Sequence, residues 1–109
     1  MRVLLDANVP KRLKREIVGH EVWTTREQRL NELANGRLIE ALVIGNFDVL
    51  ITLDKGLPRQ QNLTGKSIAI LVLRSPSNRI ADLLPLVPQI LEALTVVRPG
   101  DICDIREPS

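Results

Sequence analysis

The chain has 109 residues, 44% of them hydrophobic and 26% charged, which is the size of one domain and the composition of a globular one. No apolar run approaches the ~18–20 residues of a membrane span, the run behind Met1 is too short for a signal peptide, and a single cysteine, Cys103, excludes an intrachain disulfide and a multi-cysteine zinc site. The formal charge is only +2, but residues 1–79 hold 13 Lys/Arg against 8 Asp/Glu and residues 80–109 hold 2 against 5; the N-terminal part could face an anionic partner or simply present a solvated surface. Trp23 and Phe47 are the only aromatics, which counts against single-strand binding by base stacking.

Arg2 to Leu5 reads as a short buried strand. Asn8-Val9-Pro10 looks like a helix start, with Asn8 as the cap. Over Lys11 to Val18, Leu13 and Ile17 share one face among Lys11, Arg12, Lys14 and Arg15, and Gly19 closes the helix. His20 to Thr25 is rich in β-branched residues and reads as a second strand. Residues 26–34 are polar and ambiguous. Leu38, Ile39, Leu42 and Val43 make a helical stripe between Gly36 and Gly45. Phe47 to Leu53 and Ser67 to Leu73 read as the third and fourth strands. Asn78 to Leu94 is helical, with a break near 84 because Pro85 and Pro88 fit the first turn of a second helix. Thr95 to Arg98 reads as a fifth strand ended by Pro99-Gly100, and Ile102 and Ile105 could add a terminal one.

Strands that are apolar on both faces and alternate with helices imply a mostly parallel sheet of four or five strands. Helices would cover both sides as a three-layer α/β/α sandwich with right-handed crossovers. Ligands in such sheets bind beyond the carboxyl ends of the strands. The residues there are Asp6 and Asn8, Thr25 and Arg26, Thr52, Asp54 and Lys55, Arg74 and Ser75, and Arg98. If the first and third strands are neighbours, Asp6 and Asp54 share one edge about 5 Å apart at the backbone. Two such acids suit a hard divalent ion, Mg²⁺ or Mn²⁺; alternatively each merely caps its own following segment. His20, the lone histidine, and Cys103 lack the partners of a triad or zinc site. A phosphoacceptor receiver would place an acid at Asp54, but it needs a second acid next to Asp6, where Ala7 stands, and a lysine after the fifth strand, where Arg98 stands.

Val3-Leu4-Leu5-Asp6-Ala7-Asn8-Val9-Pro10 together with Val49-Leu50-Ile51-Thr52-Leu53-Asp54-Lys55 resembles the PIN-like domain family, relatives of the VapC toxins. Gln60-Gln61-Asn62-Leu63 and Pro76-Ser77-Asn78-Arg79 are similar to a small bacterial branch of it. The resemblance covers about residues 2–106 and makes 1–109 a single PIN-like domain. It implies a cytoplasmic Mg²⁺- or Mn²⁺-dependent endoribonuclease, the toxin half of a toxin–antitoxin pair whose cognate antitoxin is a small DNA-binding protein. Asp6 and Asp54 would be catalytic and metal-binding. Asn8 and Thr52 would orient them, and Lys11, Arg12, Lys55 and Arg74 would hold the RNA backbone. The family also carries an acid at the start of the middle helix. This chain has Asn35 there, with Glu40 and Glu32 nearby as substitutes. The competing expectation is a PIN-like module without catalysis that binds a protein or nucleic acid. Eight aliphatic residues, Ile80, Leu83, Leu84, Leu86, Val87, Ile90, Leu91 and Leu94, would exceed one buried stripe and offer a surface for the antitoxin or a homodimer, unless all of them face the core.

Overall fold

The computed structural model describes residues 1–63 and 65–107. Five strands form one sheet: β1 (Arg2–Leu5), β2 (Glu21–Thr24), β3 (Val49–Thr52), β4 (Ala69–Leu73) and β5 (Ile102–Ile105). Every pairing is parallel, and the order is β2-β1-β3-β4-β5. Leu5 lies opposite Thr24 on one side and Ile51 on the other, so β1 and β3 are neighbours, as the site hypothesis requires. The chain leaves β1 toward one edge to make β2 and then returns past it to make β3. The point where strand order reverses is therefore the gap between the ends of β1 and β3, where ligands of open parallel sheets bind.

The alternation of side chains splits the core in two. Val3, Leu5, Val49, Ile51, Leu71 and Leu73 face one way, and Leu4, Leu50, Ile70 and Val72 the other. The second face is covered by α1 (Asn35–Ile44), through Leu38, Ile39 and Leu42, and by Leu57 of the single-turn α2 (Leu57–Gln60). The first face is covered by a 3₁₀ helix, Lys11–Glu16, and by α3 (Ile80–Leu83), a 3₁₀ turn (Leu84–Leu86) and α4 (Val87–Val96). The break near 84 falls where the two prolines predict it. Among the described residues no helix is long and apolar enough to cross a membrane.

Four expectations need correction. The segment after β1 is a 3₁₀ helix rather than an α-helix, and Asn8 does not cap it; extended Pro10 precedes it, and its bonds span three residues, Leu13 N–H to Pro10 O at 3.0 Å and Ile17 N–H to Lys14 O at 3.3 Å. Four cations within five residues repel one another, and the buried anchors Leu13 and Ile17 hold a short, tight winding instead. The fifth strand is Ile102–Ile105, not 95–98. The β-branched run Thr95-Val96-Val97 yields to the helical stripe Ile90, Leu94 and Val97, which is buried, and Gly100 at φ +89° makes the turn into β5.

The third correction concerns handedness. From β2 to β3 and from β3 to β4 the chain crosses the sheet in one direction over the face of α1 and α2. From β4 to β5 it continues in that direction over the opposite face, so the last crossover has the opposite hand, against the general preference. Coverage explains it: without α3 and α4, only the 3₁₀ helix would shield the Val49, Ile51, Ala69 and Leu71 side. The fourth concerns the aliphatic surplus in 80–97. Leu83, Leu86, Ile90 and Leu94 are buried, Ile80, Val87 and Leu91 pack against the same core, and Leu84 alone of the eight is exposed, at 41%. Seven of the eight thus serve the core, while Val96 in the same stretch is exposed at 68%.

Candidate functional site

Asp6 follows β1 directly and stays in the ladder: its N–H donates to Ile51 O at 2.9 Å. Thr52, the last residue of β3, is fully buried beside it. The Thr52 hydroxyl donates to Asp6 Oδ2 at 2.7 Å and accepts the Asp54 N–H at 3.0 Å. One hydroxyl oxygen therefore separates the Asp6 carboxylate from the Asp54 backbone. The remaining oxygens are also held. Asp6 Oδ1 accepts the Ala7 N–H at 2.8 Å, Asp54 Oδ1 accepts the Gly56 N–H at 2.9 Å, and Asp54 Oδ2 accepts from Asn35 Nδ2 at 3.4 Å. Each carboxylate oxygen has two lone pairs, and the bonds just described engage one on each.

Asn35 thus does face the site: as the first residue of α1 it reaches across to Asp54. Glu40 does not. Five residues on, it is about 140° around the helix from Asn35, and it is exposed. Glu32 is exposed in the turn before α1. Among the described residues no group of three or more His, Cys, Asp or Glu is arranged to hold a metal ion. The acid pair is therefore supplemented by a neutral amide rather than a third charge. Asn8 is exposed and touches the site only through a long 3.5 Å contact from the Leu53 N–H to its Oδ1.

The expected cations separate into two groups. Lys11 lines a cleft of about 250 Å³ with Asp6, Thr25, Arg26 and Asn31. Lys11 and Arg12 also line a larger cleft of about 470 Å³, which continues from the first between the 3₁₀ helix and the turn after β2. Lys55 is exposed next to Asp54. Arg74 lies at the same sheet edge but is bound to Asp104 of β5 at 3.0 Å. Burial raises the Asp104 carboxyl, and its bonds to Arg74 and Arg106 outweigh that and hold it below the usual range. Arg98 precedes β5, at the opposite end of the sheet, where its N–H donates to Asp101 Oδ2.

Two residues of the cleft, Arg15 and Arg26, were not chosen as backbone contacts from sequence. Arg26 is the second residue beyond β2, and β2 pairs with β1, so only the strand order brings it near Asp6. The one carboxylate in the larger cleft, Glu27, is spent on Lys14 at 2.8 Å, and that bond draws its pKa below the ordinary glutamate value.

The phosphoacceptor pattern fails in space as in sequence. Ala7 occupies the place of its second acid, Ser75 donates to Ser77 O within its own turn, and Arg98 is at the wrong end. Cys103 is half-buried, and its thiol pKa is pushed up by desolvation and by Asp101 and Asp104. The His20 ring is held below its usual pKa by desolvation and the N-terminal ammonium and lies at the other end of β2, away from the aspartates. Comparison with protein-family models, with curated proteins and with solved structures finds no match to the chain.

Proposed function

We propose that the chain is a PIN-like, metal-dependent ribonuclease acting as the toxin component of a toxin–antitoxin pair in the cytoplasm, with a small DNA-binding antitoxin as partner. The observation that carries the nuclease reading is the pairing of Asp6 with Asp54, across the point of strand reversal, through the buried Thr52 hydroxyl. The toxin role and the antitoxin rest on the sequence resemblance.

The donor set fits a hard divalent cation: two carboxylates offering four oxygens at a part-exposed edge. Asp6 and Asp54 would hold Mg²⁺ or Mn²⁺, which when bound supplies an activated water and neutralises charge growing on the phosphate. Thr52 fixes the rotamer of Asp6 and the backbone of Asp54 at once. Asn35 fixes the outer oxygen of Asp54. Lys11 lines the same cleft as Asp6, and Arg12 lines the neighbouring larger one; there they would hold the RNA backbone without selecting its sequence.

The competing reading, a PIN-like module that binds without cutting, is favoured by one observation: among the described residues no third acidic ligand joins the pair, and fewer charged ligands mean weaker cation binding. A Mn²⁺ titration by calorimetry beside a cleavage assay on mixed RNA separates the two. The nuclease reading expects Mn²⁺-dependent cleavage that disappears in Asp6→Asn and Asp54→Asn. Equal cleavage by wild type and Asp6→Asn would mean that the activity comes from elsewhere. No Mn²⁺ binding at millimolar concentration would favour the inert module.

A further inference from the structure

The 3₁₀ winding of Lys11–Glu16 has a consequence for charge. In such a helix residues three apart are eclipsed and about 6 Å apart along the axis. Lys11 and Lys14 therefore form one row, and Arg12 and Arg15 a second, while Leu13 turns inward and is fully buried. An α-helix would stagger these pairs by about 60°. Both rows line the 470 Å³ cleft, and Arg26 closes it at the end that opens onto Asp6. The cleft is concave and contains one acid, Glu27, already neutralised by Lys14. Lys14 also lies over the Trp23 ring at 5.4 Å, so this lysine is occupied twice. The guanidinium groups of Arg12, Arg15 and Arg26 are on exposed residues.

We propose that this cleft is a track for the phosphates of single-stranded RNA, with Arg12 and Arg15 as successive phosphate contacts and Arg26 delivering the strand to Asp6. The choice of RNA as ligand rests on the nuclease reading above; the charge and shape of the cleft do not. Lys14 acts as a structural clamp on Glu27 rather than as a main phosphate contact. The strand thus enters over the β2 side of Asp6, away from Arg74, which β5 holds.

The test uses the full chain, a fluorescent ten-nucleotide oligo(U) RNA and EDTA, with affinity read by anisotropy from 50 to 300 mM salt. Each lost contact to a single strand should lower the slope of log affinity against log salt by about 0.7, and weaken binding roughly tenfold at the low-salt end. Arg15→Ala and Arg26→Ala should each show this, and the pair should add. Lys14→Ala should lose clearly less. Arg98→Ala removes the same charge from the far end of the sheet and should bind like wild type. Circular dichroism checks that each exposed substitution leaves the fold intact. Unchanged slopes in Arg15→Ala and Arg26→Ala, or an equal loss in Arg98→Ala, would overturn the track. Displacement of the RNA by polyglutamate as effectively as by unlabelled RNA would also overturn it, in favour of an acidic protein segment. Arginine-dependent binding without Mn²⁺-dependent cleavage would refute the nuclease reading and support the track.

Discussion

Thr52→Val is the sharpest probe of the site, because it changes one atom position and touches both acids. Valine keeps the β-branched shape that a central strand accepts, so packing is preserved. The substitution deletes the 2.7 Å bond to Asp6 Oδ2 and the acceptor of the Asp54 N–H. A hydrogen bond to a charged group contributes about 1.5–3 kcal/mol, and a buried amide left unpaired costs about 1–3 kcal/mol. Asp6 and Asp54 are only half-buried, so water recovers part of both. The added methyl contributes about 0.8 kcal/mol in the opposite sense. The net expectation is a loss of about 2–3 kcal/mol by urea denaturation, with the slope against urea unchanged. Thr52→Ser keeps the hydroxyl and loses only the methyl, so it should cost about 1 kcal/mol. Metal affinity supplies a second readout that packing alone would not move. Residues that orient ligands are typically worth ~10–100-fold in affinity, so Mn²⁺ binding should fall in Thr52→Val and return in Thr52→Ser. A valine variant as stable as wild type, or a serine variant as damaged as valine, would refute the bridging role.

Three other outcomes follow from the same geometry. Asp6→Asn should cost the metal-free protein about 1 kcal/mol in urea melts rather than stabilise it, because Ala7 N–H and the Thr52 hydroxyl both donate to the carboxylate and the new amide can satisfy only one of them. Asn35→Asp places a third carboxylate against Asp54 Oδ2; a lower melting temperature in EDTA with tighter Mn²⁺ binding by calorimetry is expected, and the reverse pattern would show that α1 does not contribute to the site. Glu27 has a lowered pKa, so its bond to Lys14 stabilises the fold above the unfolded glutamate value, near 4.5, and is lost as pH falls through the lower folded value. Both side chains are more than a third exposed, so screening limits the effect to under about 1 kcal/mol, and Glu27→Gln should flatten only the acid limb of a pH–stability curve.

The sheet was legible because its strands carry their own signal. Val49-Leu50-Ile51 and Ile68 to Leu73 are apolar on both faces, which only a covered parallel sheet accommodates. Asp6 and Asp54 were legible for the same reason: strand ends mark the ligand edge. Asn35 was reached through the family resemblance, and the fold places its side chain against Asp54. The misreadings share a cause. Lys11–Val18 and Thr95–Arg98 are segments where local propensity and tertiary demand disagree. In the first, like charges and Pro10 overrule a helical spacing; in the second, burial of Val97 against the core overrules β-branched residues. Arg15 and Arg26 gain meaning only from strand order and helix type, which no window of residues encodes. Most of the aliphatic surplus of 80–97 goes into the core because a broken helix buries more than one face.

Capping alone does not account for the two aspartates. An acid that only closes its own loop needs a nearby backbone donor, and each has one: Ala7 N–H for Asp6, Gly56 N–H for Asp54. The other two bonds lie outside that requirement. Thr52 reaches Asp6 across two strands, 46 residues apart in sequence, and Asn35 reaches Asp54 from a helix 19 residues away. These donors tie each carboxylate to another element of the fold. They set the position of one carboxylate relative to the other, and they place a fully buried hydroxyl at a strand end to do it. Local capping is satisfied without them, and the extra bonds are what the proposed cation site would require of two acids that meet one ligand. The same bonds hold both side chains in place before any ion binds. Removing divalent ions should therefore leave the fold intact, and chelation should abolish cleavage without lowering the melting temperature toward that of Thr52→Val.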